Sequence, residues 1–95
     1  MMSYYLLLWR QDSPKFPVLI ASEVDESQTE VRKVEIFPDG SVGFADEYRE
    51  VGGTGLAEVP YPPPDNSNFT DELHIVQVDG RVFSALWNLA VKRNE

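Results

Sequence analysis

Carboxylates are the residues of this chain that offer the most chemistry. Sixteen Asp and Glu stand against eight Lys and Arg, which gives a formal net charge of −8 over 95 residues. From Val34 to Gly80 ten acids accompany a single base, Arg49, so almost all of the excess negative charge belongs to the middle of the chain. Such a field repels nucleic acid and anionic membranes and speeds the encounter with a basic partner. Solubility alone is the competing interpretation of the same charge.

These carboxylates do not form a recognisable catalytic or metal-binding pattern. Paired acids can perform glycosidase-type acid–base chemistry, but that mechanism needs a deep, partly apolar cleft, for which a domain of this size rarely has room. Oxygen ligands for Mg²⁺ or Ca²⁺ are present without the spacing of an EF-hand loop. His74 is the only histidine and cysteine is absent, which excludes two-histidine and thiolate metal sites.

The run Gly52-Gly53-Thr54-Gly55 invites comparison with a phosphate-binding loop. No Lys-Ser or Lys-Thr pair follows it, and Glu58 comes next where a phosphate would require a base. A flexible turn is the simpler interpretation. The sequence therefore predicts a protein that is not an enzyme, with no catalytic residue, no metal site and no cofactor. A small carboxylate- or metal-dependent enzyme is the less favoured alternative.

Two tyrosines stand among acids and prolines, outside any predicted strand or helix. Tyr48 and Tyr61 have the surroundings of a protein interface, in which an aromatic side chain is rimmed by charge. The competing interpretation is that both residues only pin a loop to the sheet. We take the first interpretation and expect a partner-binding surface made of Asp46, Glu47, Tyr48, Glu50, Glu58 and Tyr61, supported by Asp25 and Glu26.

Alternating apolar residues predict the strands that would position this surface. Val34 and Ile36 point one way on the first arm of a hairpin, and Val42 and Phe44 repeat the alternation on the second. Pro38-Asp39-Gly40 between the arms has the composition of a tight turn, with Gly40 in a left-handed conformation. Earlier strands are predicted at Tyr4–Arg10 and Pro17–Val24, joined to the hairpin as an antiparallel meander.

A helix is predicted at the carboxyl end of the chain. Phe83, Leu86, Trp87 and Ala90 recur at the spacing of one helical face, and Asp79 stands at the N-cap position. We therefore expect an α+β fold in which an antiparallel meander sheet of four to five strands carries the C-terminal helix on one face. The prediction is a single domain over 1–95, with the sheet meander at 3–48, a Gly/Pro-rich irregular loop at 49–72, a short strand at 73–78 and the helix at 79–93.

No segment of the sequence has the character of a membrane span or a signal peptide. The apolar run Tyr4–Trp9 is too short for either and has no basic residues before it. We expect a soluble cytoplasmic protein that binds neither nucleic acid nor membrane.

Several short motifs, taken in order, resemble a family of short acidic bacterial proteins catalogued as a domain of unknown function. The resemblance covers Trp9 to Trp87, and its most specific parts are Arg32-Lys33-Val34-Glu35 with Asp39-Gly40 and the later Gly52-Gly53-Thr54. The remaining motifs are Phe16-Pro17-Val18, Ser22-Glu23-Val24-Asp25, Glu30-Val31 and Ile36-Phe37 on either side of Arg32–Glu35, Gly43-Phe44-Ala45-Asp46, Leu56 and Glu58-Val59-Pro60. The last third departs from the family pattern, with Val78–Phe83 where relatives tend to have a more acidic helix start.

Members of this family look like immunity proteins, which are encoded beside secreted or contact-delivered toxins and neutralise them inside the cell. The resemblance thus implies a stoichiometric inhibitor of a cognate toxin, and it carries over no binding residues. A nuclease toxin presents a basic, phosphate-binding cleft that an acidic surface can occupy. We expect a basic protein partner of this kind, delivered by contact-dependent growth inhibition or a similar secretion route. An acidic adaptor or regulatory module that binds another basic protein is the alternative.

Overall fold

The computed structural model describes residues 1–58, 61 and 73–95, and within them a sheet carries one helix on a single face. The helix is α1, Gly80–Arg93. The strands are β1 (Ser3–Trp9), β2 (Leu19–Val24), β3 (Glu30–Ile36), β4 (Val42–Asp46), β5 (Glu50–Val51) and β6 (Leu73–Val78).

The strands form one antiparallel sheet in the order β5-β4-β3-β2-β1-β6. The first five follow each other as a meander, and β6 returns to pair with β1 on its free side.

This arrangement confirms the α+β class with an antiparallel sheet and a C-terminal helix. The expected number of four to five strands is wrong, because the described residues form six. The additional strand is β5, whose two residues are too short to show an alternating pattern and lie in the range predicted to be irregular. The parts of that range at 59–60 and 62–72 lie outside the described residues.

The turn between β3 and β4 has the chemistry that its sequence predicts. Gly40 has φ +87°, and its amide donates to the carbonyl oxygen of Phe37 at 2.9 Å. The Asp39 carboxylate accepts hydrogen bonds from the amide and the hydroxyl of Ser41, at 2.9 and 2.7 Å. These bonds lower the pKa of Asp39. The turn therefore fixes the register of the hairpin.

The helix begins where the sequence predicts it. The Asp79 side chain accepts hydrogen bonds from the amides of Arg81 and Val82 and caps the first turn. Phe83 and Ala90 are fully buried against the sheet. The core beneath them consists of Ala21, Val34, Val42 and Phe44, with Tyr4, Leu6, Ile36, Val51, Leu86, Trp87 and Val91 packed around it.

The helix runs diagonally across its face of the sheet. The ring of Phe83 lies 5.6 Å from that of Tyr4, near the start of β1. At the other end, the Asn94 side-chain amide donates to the Val42 carbonyl oxygen at 2.9 Å, at the start of β4. Among the described residues, no helix is long and apolar enough to cross a bilayer.

The segment after β5, residues 52–58, lies over β3 and β4 on the face of the sheet opposite the helix, and we call it the covering segment. It approaches Gly43 closely, because a Cβ atom there would overlap Oγ1 of Thr54 and lie 3.1 Å from the carbonyl oxygen of Gly52. Only glycine fits at this position without moving the backbone of the segment.

We predict that Gly43→Ala lowers the free energy of unfolding by about 1–3 kcal/mol, because the added methyl group overpacks this contact. Gly55→Ala is the matched control, since the atoms its Cβ would meet belong to the flexible side chain of Glu50. Urea denaturation of the two variants checks the prediction. Equal stability of Gly43→Ala and Gly55→Ala would contradict the close packing described here.

Candidate protein-binding site

The strand register shows which residues lie at one end of the sheet, and many of them are acids. Tyr4, Glu23, Arg32 and Asp46 lie side by side in neighbouring strands. Beyond this row the chain turns from β2 to β3 and from β4 to β5, and α1 begins there because Val78 pairs with Tyr4. We call this region the acidic end. Its carboxylates are Glu23, Asp25, Glu26, Glu30, Asp46, Glu47, Glu50, Glu58 and Asp79.

Most of the expected contact residues line one open depression at the acidic end, which we call the acidic hollow. The hollow has a volume of about 610 Å³. Its lining consists of Asp46, Glu47, Tyr48, Arg49, Glu50, Leu56, Ala57 and Glu58. The side chain of Tyr48 is 87% exposed. Two stretches that are separate in sequence, the β4–β5 turn and the covering segment, thus present acids and a tyrosine together.

Asp46 differs from the other acids of the hollow because it holds the turn. Its Oδ1 accepts the backbone amides of Tyr48 and Arg49 at 2.9 and 3.0 Å, and its Oδ2 lies 3.6 Å from the Arg49 side chain. Burial raises the pKa of Asp46, but these hydrogen bonds and the Arg49 charge outweigh it and hold the pKa below its ordinary value. Asp46 is therefore a positioning residue.

The carboxylates available to a partner are those of Glu47, Glu50 and Glu58. All three residues are exposed, and none forms an ion pair with another described residue. The guanidinium of Arg49 lies 4.8 Å from the ring centre of Phe44 and so rests on the core while pairing with Asp46. The hollow therefore keeps an excess of negative charge.

A buried carboxylate, that of Glu30, holds the covering segment in place. Its side chain is fully shielded from solvent, and its Oε2 accepts the Ser22 hydroxyl at 2.6 Å. Its Oε1 accepts the backbone amide of Ala57 at 2.7 Å and lies 3.2 Å from Nζ of Lys33. A buried charge with this many donors is satisfied, so the contact fixes the position of Ala57 and with it that of Glu58.

Two further hydrogen bonds join the same segment to β3. Nζ of Lys33 donates to the carbonyl oxygen of Gly55 at 3.0 Å, and Oγ1 of Thr54 donates to the carboxylate of Glu35 at 2.7 Å. Lys33 and Glu35, which point to the same face of the sheet, therefore bind a segment about twenty residues later in the chain. Glu30, Lys33 and Glu35 were not among the site residues predicted from the sequence, since nothing in local spacing indicates these partners.

A second depression adjoins the acidic hollow and shares Asp46, Glu47 and Tyr48 with it. Its floor contains Arg32, which donates to both carboxylate oxygens of Glu23 at 2.6 and 3.0 Å. The same guanidinium lies 4.9 and 4.8 Å from the ring centres of Phe83 and Trp87. Arg32 is thus neutralised and stacked on the helix, which makes the floor rigid.

Asp25 and Glu26 lie at the same end but outside the acidic hollow. They line a third depression with Met1, Met2 and Ser27, and Met2 also lines the second. The Asp25 carboxylate accepts the amides of Ser27 and Thr29 at 2.8 and 3.0 Å and so holds the β2–β3 turn. Glu26 is exposed and pairs with the amino group of Met1.

Tyr61 does not join the acidic hollow. Its ring packs edge-on against Tyr5 with 5.9 Å between ring centres, and its backbone amide donates to the Gln28 carbonyl oxygen at 2.7 Å. Burial raises the pKa of Tyr61 to about 12. In this position the side chain pins the chain to the sheet, as in the competing interpretation of the sequence.

Among the described residues, no three His or carboxylate side chains converge as a metal site would require.

We predict that Glu30→Ala detaches the covering segment, because the Ala57 amide and the Lys33 ammonium lose their buried acceptor. Breaking a buried ion pair from one side costs about 3–5 kcal/mol. Urea denaturation measures that loss, and faster hydrogen exchange at the Ala57 amide locates it. Glu47→Ala is the control, since it removes an exposed carboxylate. Unchanged protection of the Ala57 amide in Glu30→Ala would contradict the proposed anchor.

The Glu23–Arg32 pair predicts a loss of stability in acid. The hydrogen bond from Arg32 is the main reason that the pKa of Glu23 lies below its ordinary value of 4.5. A lowered folded-state pKa contributes stability above the unfolded value, which is lost as pH falls through the folded value. The stability difference between the native protein and Glu23→Gln should therefore shrink below about pH 4.5. A difference that stays constant from neutral to strongly acidic conditions would contradict this assignment.

Comparison with known proteins gives one family and no individual relative. No curated protein and no solved structure matches the chain. Residues 3–92 match the family described as Domain of unknown function (DUF6881), and this range includes every strand of the sheet and nearly the whole helix. Because the match extends over almost the full sequence, the chain belongs to the DUF6881 family.

Proposed function

We propose that this protein is an immunity protein that binds a cognate bacterial toxin, a nuclease, and blocks it stoichiometrically without catalysis of its own. The observation that carries the proposal is the acidic hollow, in which Glu47, Glu50 and Glu58 surround the exposed Tyr48. A nuclease binds the phosphates of its substrate in a basic cleft, and a rigid group of carboxylates can occupy that cleft in their place.

The composition of the hollow agrees with the anatomy of protein interfaces. Tyr48 offers a large side chain with few rotatable bonds, of the kind that supplies much of the binding energy when it fills a pocket of the partner. The surrounding glutamates would meet Lys and Arg at the rim, where charge pairs act chiefly on the rate of association and on specificity. Tyrosine and glutamates together favour a protein partner.

The distribution of charge over the molecule would orient its approach. The end of the sheet opposite the acidic end holds the β3–β4 turn and the last turn of α1, as the hydrogen bond from Arg93 to the Gly40 carbonyl oxygen shows. Its bases are Arg10, Lys15, Lys92 and Arg93, and its acids are Asp12, Asp39 and Glu95. A molecule with one acidic end and one mixed end turns the acidic end towards a basic surface during diffusional encounter.

The test is binding of the product of the adjacent toxin gene, with a charge reversal that leaves the fold intact. Glu47→Lys combined with Glu50→Lys reverses two free carboxylates of the hollow and spares Asp46, which holds the turn. We predict association at least tenfold slower, with a weaker salt dependence, because the reversed charges repel the basic cleft. Stopped-flow mixing at several salt concentrations measures both quantities.

Asp12→Lys combined with Glu95→Lys is the matched control, because it changes the net charge equally at the opposite end. We expect its association to slow far less. Equal slowing in the two double variants would assign the effect to net charge and remove the hollow as the interface. A native protein that forms no complex with the toxin at micromolar concentration would overturn the proposed function itself.

A further inference from the structure

The two edges of the sheet differ in a way that points to a second interaction surface. Among the described strands, the sheet ends on one side in β5, which has two residues, and on the other side in β6, which has six. The sequence of β6, Leu73-His74-Ile75-Val76-Gln77-Val78, contains no proline, lysine or carboxylate. Edge strands usually carry such residues to prevent pairing with another chain.

The direction of the backbone groups shows which residues of β6 face outward from the sheet. The Trp9 amide donates to the Val18 carbonyl oxygen on the β2 side, so the alternate residues Tyr4, Leu6 and Leu8 direct their backbone groups to β6. Their partners there are Val78, Val76 and His74. The remaining residues of β6 therefore direct N–H and C=O groups away from the described strands; they are Leu73, Ile75 and Gln77.

An exposed apolar strip lies beside this edge on the helix face. Val76 and Leu8 are each 46% exposed although they point to the same side as α1. Val82 and Leu89 are 39% and 41% exposed and lie on the flank of the helix away from Trp87, which contacts Phe44 on β4. The diagonal course of α1 leaves these four side chains uncovered next to β6.

We propose that β6 pairs with β6 of a second copy of this chain, in an antiparallel arrangement about a two-fold axis at Val76. The proposal goes beyond the toxin-binding function and does not depend on it. Such pairing continues the sheet from one copy into the other and places the two helices on the same side. The exposed strips then meet across the axis, so the same side chains are covered in both copies.

The charges of the chain favour the antiparallel over the parallel arrangement of two copies. Two molecules with a net charge of −8 repel each other least through an uncharged strand. Antiparallel pairing also directs the two acidic ends to opposite ends of the joined sheet, which keeps them apart and leaves both hollows accessible. With the axis at Val76, this exposed valine lies opposite the same valine of the second copy, and the two His74 side chains do not face each other.

The first measurement is the molar mass of the native protein by sedimentation velocity over a range of concentrations. We expect a species of twice 10.8 kDa at micromolar concentrations. Val76→Lys should sediment as a monomer, because it places two ammonium groups against each other at the axis. Asn88→Lys, an equal charge change on an exposed helix position, should remain dimeric. A native protein that stays monomeric up to millimolar concentration overturns the proposal, as does a Val76→Lys variant that dimerises like the control.

A cysteine variant keeps the test informative if Val76→Lys fails to fold. The natural sequence has no cysteine, so Val76→Cys creates a single thiol. Residues opposite each other at a non-hydrogen-bonded position of an antiparallel pair lie close enough for a disulfide. Under mild oxidation Val76→Cys should form a covalent dimer rapidly and Asn88→Cys should not. Equal cross-linking of both variants, or none in Val76→Cys, would contradict the proposed axis.

Discussion

The buried carboxylate of Glu30 is the contact on which the candidate site depends. It joins β2, β3 and the covering segment through the Ser22 hydroxyl, the Lys33 ammonium and the Ala57 amide. A charge inside a protein is tolerated only when such partners surround it. Because moving any partner away from the buried carboxylate would destabilise the fold, each partner is held in place. The covering segment has no regular secondary structure of its own, so this carboxylate replaces the backbone ladder that would otherwise position it.

The acidic end arises from the way an antiparallel meander places its turns. Alternate turns lie at the same end of the sheet, so the Asp25–Thr29 turn and the β4–β5 turn lie at one end and the β3–β4 turn lies at the other. The acids of the first two turns therefore collect without contacting one another. Some of them, Asp25 and Asp46, hold their own turns with backbone hydrogen bonds, while Glu47 and Glu50 stay available. The structure thus divides the acids into those that hold a turn and those that leave their carboxylates free of such contacts.

Local sequence was sufficient for features that local chemistry determines. The Pro38-Asp39-Gly40 turn and the Asp79 cap each depend on residues within a few positions, and both were predicted correctly. The turn Asp46–Glu50 also keeps its acids and Tyr48 together because they are adjacent in sequence.

Contacts between distant segments were not predictable in this way. The partners of Glu30 lie up to 27 residues away, and Tyr61 could be placed on Tyr5 only by the return of the chain across the sheet. The two-residue strand β5 likewise forms because β4 offers an edge.

The most direct test of this account is an amide NMR titration with the proposed partner, a catalytically inactivated nuclease toxin domain. If the acidic hollow is the interface, the largest shift changes should fall on Glu47, Tyr48, Glu50 and the neighbourhood of Ala57 and Glu58, and they should diminish with added salt. Changes centred on Asp12, Gly40 and Glu95 at the opposite end, or spread over no continuous surface, would contradict it.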